Sequence, residues 1–489
     1  MLKRNISIFI LLITLLIGLS FSTAFARISQ EKEITLKGNV LITLTNNFQN
    51  SQNTKNYSLI MPKNENIALS ADSSILEKLQ SGDTVQIKGI KKNKTFFINK
   101  KTDIKTISSH ERTAPIGGQG TAVLLVNFSD TVAPTNIDDS FMLTTMDTVN
   151  SYYKSNSYFA TWLYSVNDIF GTSSADVYPW ITLDEESMCL ESDSSALTSL
   201  VLDAMIKHNI GLNKYSRIVF IAPFSQNKTC GDTVSASTLD KYWAYPSALP
   251  DNGMSFIWVD TEGVDKLVTA GTENFTSSFE AYNQIISHEF GHNFGLDNAN
   301  LYSCSNLAIF PNPYGSCESK DNLDLYSVMG SKNFWHYNIA EKVALGWLTE
   351  STGTDASVHI VNENDKSFEY ILNPISTDLD FDTGFKGLKI PRKDGYIYLE
   401  KRAPIGFDSD DRDYSDSVYY GVLLHYVDYK PRTLTTEILN VNNDGINESS
   451  YMQPALYIGD SITDPQTGTI ISVLSSNDNE TVVKVTLGQ

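Results

Sequence analysis

Between residues 31 and 107, apolar and polar positions alternate in short runs: Ile34 to Leu36, Val40 to Leu44, Thr84 to Ile87 and Thr95 to Ile98. Period-two runs of such residues, parted by Asn- and Lys-rich gaps, predict a small β-barrel or sandwich. His110 to Gly120, with Pro115, Gly117, Gly118 and Gly120, reads as a linker. The pattern then changes. Ala122 to Val126 and Ile218 to Ile221 are unbroken apolar runs, as in strands covered on both faces, and Phe256 to Val259 is a third. Met142 to Tyr153 and Ser195 to Lys207 have helical spacing between them. From about Ser351 short strands return, at Tyr396 to Glu400, Gly421 to His425 and Val482 to Val485. No internal repeat interrupts the series. The expected architecture is multidomain: an α/β central domain between an N-terminal β domain and a C-terminal β-sandwich.

The most informative helix is predicted over Ser277 to Phe294. Ser277 and Glu280 have capping-box spacing, Phe279, Tyr282, Ile286 and Phe290 form an apolar stripe, and Gly295 suits the stop. His288 and His292, four residues apart, project from one face about a turn apart. Two neutral imidazoles so placed can hold one Zn²⁺ at about 2.0–2.1 Å each. Glu289 stands beside them, where a general base for a zinc-activated water is needed, so His288 and His292 are candidate ligands and Glu289 the candidate base.

Composition narrows the setting. The chain has 489 residues, too many for one ordinary core, which suggests two or three domains. It is 41% hydrophobic and 19% charged, which excludes a largely disordered chain. A formal charge of −20 argues against nucleic acid or an anionic membrane as the main partner. Lys3 and Arg4, an apolar run from Ile6 to Leu19 and Ala24-Phe25-Ala26 have the three-part layout of a secretory signal peptide. No other stretch is long and apolar enough to span a membrane. The mature chain is therefore expected to be secreted, beginning near Arg27. Cys189, Cys230, Cys304 and Cys317 form no CxxC pair, which argues against a thiolate zinc site. Of the three possible pairings, Cys189 with Cys230 and Cys304 with Cys317 closes the more modest loops.

Three segments carry a resemblance. His288-Glu289-Phe290-Gly291-His292 continues through Gly295 to Asn300; Tyr326-Ser327-Val328-Met329-Gly330 follows; then His336 to Leu348. Together they resemble the gametolysin family of metzincin peptidases, whose pattern is HExxHxxGxxH followed by a methionine turn. The likeness extends upstream to Gln119–Phe128 and Tyr152–Tyr158, and is strong over about 112–350. It implies a zinc endopeptidase acting on extracellular or cell-wall proteins, with Met329 as an apolar floor beneath the histidines. His336 then belongs to the segment that opens the last helix of the catalytic unit. The pattern breaks at the third ligand, where Asn298 stands in place of histidine with Asp297 just before it. Three readings stay open: Asn298 ligates with water completing the site, Asp297 substitutes through a shifted loop, or the chain is a degraded, peptidase-like secreted binding protein.

The remaining histidines, His208, His359 and His425, read as structural, and His110 lies in the linker. Asp408, Asp410, Asp411, Asp413 and Asp416 form an acidic loop that could take Ca²⁺, with a solvated loop as the plainer reading. Asn440 to Gly445 begins like an EF-hand loop, but position twelve is Tyr451, which excludes it. The expected division is 1–26 signal peptide, 27–110 N-terminal β domain or pro-region, 111–350 metzincin-like domain and 351–489 β-sandwich. The first of these β domains has no cysteine with which to ligate zinc as a latency switch. Protein or peptide substrates are the expected partners; oligomeric state is not readable.

Overall fold

The computed structural model describes residues 32–488, apart from 49–51, 62–64, 111, 192–193, 212–213, 242–252, 271–274, 305–316, 331–332, 366–367, 380–383, 410–415, 430–433 and 442–453. The segment expected to be a signal peptide, Asp410 to Asp413 of the acidic loop and most of the Asn440 loop lie outside the described residues. No helix among the described residues is long and apolar enough to cross a membrane.

The N-terminal strands are β1 (Ile34–Asn47), β2 (Gln52–Ile60), β3 (Asn66–Ser70), β4 (Thr84–Lys92), β5 (Thr95–Phe97) and β6 (Ile104–Ser108). Strand β1 pairs with β4 through Ile34–Asn39 and with β2 through Asn39–Asn47. With β2–β3, β3–β5 and β5–β4 pairings, the order β1-β2-β3-β5-β4 closes on itself. A short helix, Ser73–Leu76, connects β3 to β4. This is the topology of an OB-type barrel. Gly38 stands where β1 changes partners, and a side chain there would strike the Ile60 carbonyl; Gly89 has the same relation to Phe97. Val40, Ile42, Leu44, Leu59, Val85, Ile87 and Phe96 fill the barrel.

The central strands are β7 (Gly117–Asn127), β8 (Thr161–Tyr164), β9 (Asp176–Thr182), β10 (Arg217–Ala222), β11 (Ser235–Thr238) and β12 (Ser255–Asp260). The helices are α1 (Asp139–Asn156), α2 (Ser194–Lys207), α3 (Thr261–Thr269), α4 (Ser278–Asn293) and α5 (Ile339–Ala344). Strands β7, β10 and β12 run parallel, and β11 is antiparallel to β12. Successive side chains of a strand face opposite sides. Val123, Leu125, Val219, Ile221, Ile257 and Val259 accordingly join the core under α1, α3 and α4. Ala122, Leu124, Val126, Ile218, Phe220, Phe256 and Trp258 pack with α2 on the other face. The unbroken apolar runs of the sequence have this two-sided burial as their cause.

The C-terminal part holds two sheets. Strands β13 (Leu296–Cys304) and β14 (Cys317–Lys320) join β15 (Glu350–Ser351), β16 (Val358–Ile360), β18 (Gly387–Pro391), β19 (Gly395–Glu400), β20 (Gly421–Asp428), β21 (Leu434–Leu439) and β22 (Leu456–Tyr457) in one. Strands β17 (Phe368–Leu372), β23 (Ser461–Thr463), β24 (Ile470–Ser476) and β25 (Thr481–Thr486) form the other. Leu388, Leu399, Leu424, Leu372, Val473 and Val483 fill the space between them, so they pack as a sandwich.

Strand pairing crosses both expected domain boundaries. Thr43–Asn46 of β1 adds to β11, so barrel and central strands share one twelve-stranded sheet. Strand β13, directly after α4, runs parallel to β21 of the sandwich. Cys189 and Cys230 form a disulfide. Cys304 and Cys317 are register partners on β13 and β14, and their side chains lie outside the described residues.

Candidate metal centre on helix α4

Helix α4 starts where the sequence predicts. Ser277 caps it by accepting from the Glu280 amide at 3.3 Å, but Glu280 reaches back to Thr276 rather than Ser277, at 2.9 Å from its amide. Gly295, at φ +93°, ends the helix, its N–H bonding to the His292 carbonyl at 2.8 Å. Tyr153 of α1 donates to the Ser287 carbonyl at 2.7 Å and pins the turn that carries His288.

His288 Nδ1 lies 2.8 Å from the Val328 carbonyl, and His292 Nδ1 2.8 Å from that of Leu296. A carbonyl only accepts, so in each neutral ring Nδ1 carries the proton and Nε2 offers a lone pair. The two Nε2 atoms face each other at 3.0 Å. Two lone pairs so close repel unless a cation lies between them. Tetrahedral zinc with bonds of 2.0–2.1 Å would set its ligand atoms about 3.3 Å apart, close to what is seen. Burial, and then the neighbouring His292, push the pKa of His288 well down and favour the neutral, ligating form.

Glu289 is fully buried. Its Oε1 accepts from Asn46 Nδ2 at 2.8 Å and from Ser235 Oγ, while Oε2 has no partner among the described residues. Met329 sits in a 3-10 turn, Val328–Gly330, beneath the helix. A side chain on Gly291 would collide with it, so this glycine is required by the closeness of the turn. Phe48 meets His288 edge-on, ring centres 5.2 Å apart.

The two candidates for third ligand part here. Asp297 is ion-paired with Lys55 and accepts from Thr435 Oγ1 at 2.9 Å and the Asn298 amide at 3.0 Å. Burial would raise its pKa, but Lys55 outweighs that and the net shift is downward. The Asn298 side chain lies against His288, and beyond that contact neither of its polar atoms has a partner among the described residues. At 2% exposure an orphaned amide is costly, and a metal or its water would satisfy it. The donor set thus fits zinc: two imidazoles, an unsatisfied amide and a free carboxylate oxygen. A cavity of about 1040 Å³ opens beside it, lined among others by Lys55, Tyr57, Asp297, Asn298 and Glu437.

The other candidates lie elsewhere. His336 is buried, its Nε2 3.2 Å from Ser155 Oγ, and takes no part in the centre. His110 lies 3.9 Å from Asp240. His359 pairs with Asp365 at 3.0 Å. Asp408, the described member of the acidic loop with a placed side chain, is bound by Arg402 at 2.9 Å. Asn46, Phe48, Lys55 and Ser235 complete the site and carry no motif; Asn46 and Glu289 are 243 residues apart.

The turn beneath the candidate centre is held from the C-terminal side. Ser327 donates to Glu341 at 2.7 Å, and Glu341 closes a capping box with Asn338 at the start of α5. Glu400 receives the Ile339 amide at 2.7 Å. His425 lies between Glu400, at 3.1 Å, and Asp324, at 3.5 Å.

No family model matches the chain, and no curated protein does. Solved structures of OgpA from Akkermansia muciniphila are similar at 10% identity. One covers 60% of this chain and 73% of its own, at a TM-score of 0.27. A second covers 77% and 94%, at 0.28. A third, a catalytically inactive form in complex with an O-glycopeptide substrate, covers 77% and 94%, at 0.27. Scores this low are no guide to function.

Proposed function

We propose that the protein is a secreted zinc-dependent endopeptidase of metzincin type, acting on extracellular or cell-wall proteins. The observation that carries this is the pair of imidazole Nε2 atoms facing at 3.0 Å, each ring oriented by a carbonyl, with Glu289 alongside. His288, His292 and Asn298 would hold the metal. Zn²⁺ supplies Lewis acidity, polarising a carbonyl and bringing the pKa of a water towards about 7. Glu289 takes the proton of the attacking water and returns it to the leaving amine. Ser235 holds one oxygen of this carboxylate and leaves the other free for that transfer. Met329 and Gly291 fix the height of the helix above the turn.

The test is hydrolysis of casein by the purified chain, with and without a chelator, beside Glu289→Ala. The variant is expected to lose about 10²–10⁴-fold in rate while keeping its metal, the usual worth of a positioned acid–base group. Activity that survives both the chelator and the substitution contradicts the proposal. Metal bound without proteolysis, even once hairpin β1–β2 is displaced from the site, points instead to the secreted binding protein.

A further inference from the structure

Hairpin β1–β2 leaves its barrel and runs across the edge of the central sheet. Thr43, Leu44, Thr45 and Asn46 pair antiparallel with Thr238, Ser237, Ala236 and Ser235 of β11. An extended peptide added to a sheet edge makes the same main-chain bonds. Next along the chain, Asn46 occupies Glu289 and Phe48 meets His288. Phe48 is 2% exposed, and it belongs to the core under the central sheet, whereas Val40, Ile42 and Leu44 belong to the barrel. Lys55, on the returning strand, pairs with Asp297 beyond the histidines. With the hairpin seated, His288, Glu289 and His292 are all 0% exposed. No substrate reaches them in this state.

We propose that the hairpin is an internal occupant of the peptide-binding cleft, with Thr43–Phe48 lying as a bound peptide lies. The site is latent until the hairpin withdraws. The pocket filled by Phe48 then takes a large apolar or aromatic side chain of the substrate next to the bond to be cut. This rests on the peptidase reading only for the word substrate; the binding itself does not require turnover. The barrel keeps its own filled core, and the cavity beside Asn298 borders the hairpin; withdrawal takes Phe48 out of the core under the central sheet and leaves there the pocket that a substrate side chain fills.

The experiment measures binding, in full-length chains carrying Glu289→Gln so that nothing is cut. The probe is a fluorescein-tagged synthetic peptide with the sequence of residues 40–50, and the readout is anisotropy. Phe48→Gly is expected to bind it at least tenfold more tightly than the chain with Phe48 intact. The same peptide carrying Gly in place of Phe48 should bind that variant at least tenfold more weakly. Phe48→Leu, which keeps a large apolar side chain, should stay closed. Should Phe48→Gly fail to fold, Lys55→Met releases the hairpin without emptying a core and takes its place. Equal binding by open and intact chains, or equal binding of the Phe and Gly peptides, overturns the proposal. Binding as expected, beside a Phe48→Gly chain that keeps Glu289 and its metal yet never cleaves casein, overturns the peptidase reading alone.

Discussion

Each imidazole of the candidate centre owes its direction to a backbone carbonyl, Val328 for His288 and Leu296 for His292. One of those carbonyls comes from the methionine turn and the other from the residue after Gly295, so the spacing of the motif and the orientation of its rings have one origin. His288, Glu289 and His292 were legible because four-residue spacing on a helix leaves little freedom in where the side chains meet. The role of Asn298 was open, since a turn after glycine can present either of two neighbours. The structure engages Asp297 with Lys55 and leaves Asn298, among the described residues, with His288 alone beside its amide. An amide oxygen is a weaker ligand than an imidazole. Asn298→His is therefore expected to bind zinc at least about tenfold more tightly, in line with the 10–100-fold effects of adjusting a metal's surroundings. Competition against a chromophoric chelator measures this, and an unchanged affinity would remove Asn298 from the site. Asn46 and Phe48 were not legible, because the end of an ordinary strand carries no sign of what it touches 240 or more residues later.

Helices and strands followed the hydrophobic pattern where burial was one- or two-sided and regular. The predicted capping box of α4 is half formed, whereas α5 has a complete one that the spacing Asn338 to Glu341 would have allowed. What periodicity could not show is the buried charge layer between α5 and β19–β20, since a charged residue in a strand reads as exposed. That layer makes stability depend on pH. Burial, and then Asp324, raise the carboxyl of Glu341 to about 8. The folded chain thus retains a proton that the unfolded chain sheds above about 4.5, and stability falls as pH rises from there towards 8. Burial opposes the charge of His425, but Glu400 beside it wins, with Asp324, and the net shift is upward. Its stabilisation is complete below the unfolded value of about 6.5 and is lost as pH rises through the folded one. Burial opposes the charge of Glu400, but Arg402 and then His425 outweigh it and bring its pKa down to about 2, so its contribution is full above the unfolded value of about 4.5 and is lost as pH falls from there. The melting temperature is expected to be higher at pH 5.5 than at pH 8.5, and Glu341→Gln with His425→Gln should flatten the difference. A melting temperature that climbs over this range contradicts the assignment.

At the scale of the whole molecule, the barrel, central sheet and sandwich are separate cores joined by shared strands. Composition shifts along the chain suggested boundaries near 110 and 350, but side-chain packing crosses both: Phe48 joins the core under the central sheet, and Leu301, Tyr326 and Trp335 pack with Val418, Leu423 and Ile438. Hydrogen bonding crosses them too, because β1 adds to β11 and β13 adds to β21, pairings between distant segments that no local pattern encodes. The candidate centre lies where these additions meet: helix α4 supplies its histidines, the barrel hairpin covers it, and β13 carries Asn298 away into the sandwich sheet. This assembly is proposed to hold zinc. Native mass spectrometry of the purified, full-length chain tests that most directly. One zinc per chain is predicted, lost in the double variant His288→Ala with His292→Ala, while the protein remains folded. A chain that carries no zinc after exposure to stoichiometric metal, or a double variant that retains it, would contradict the account.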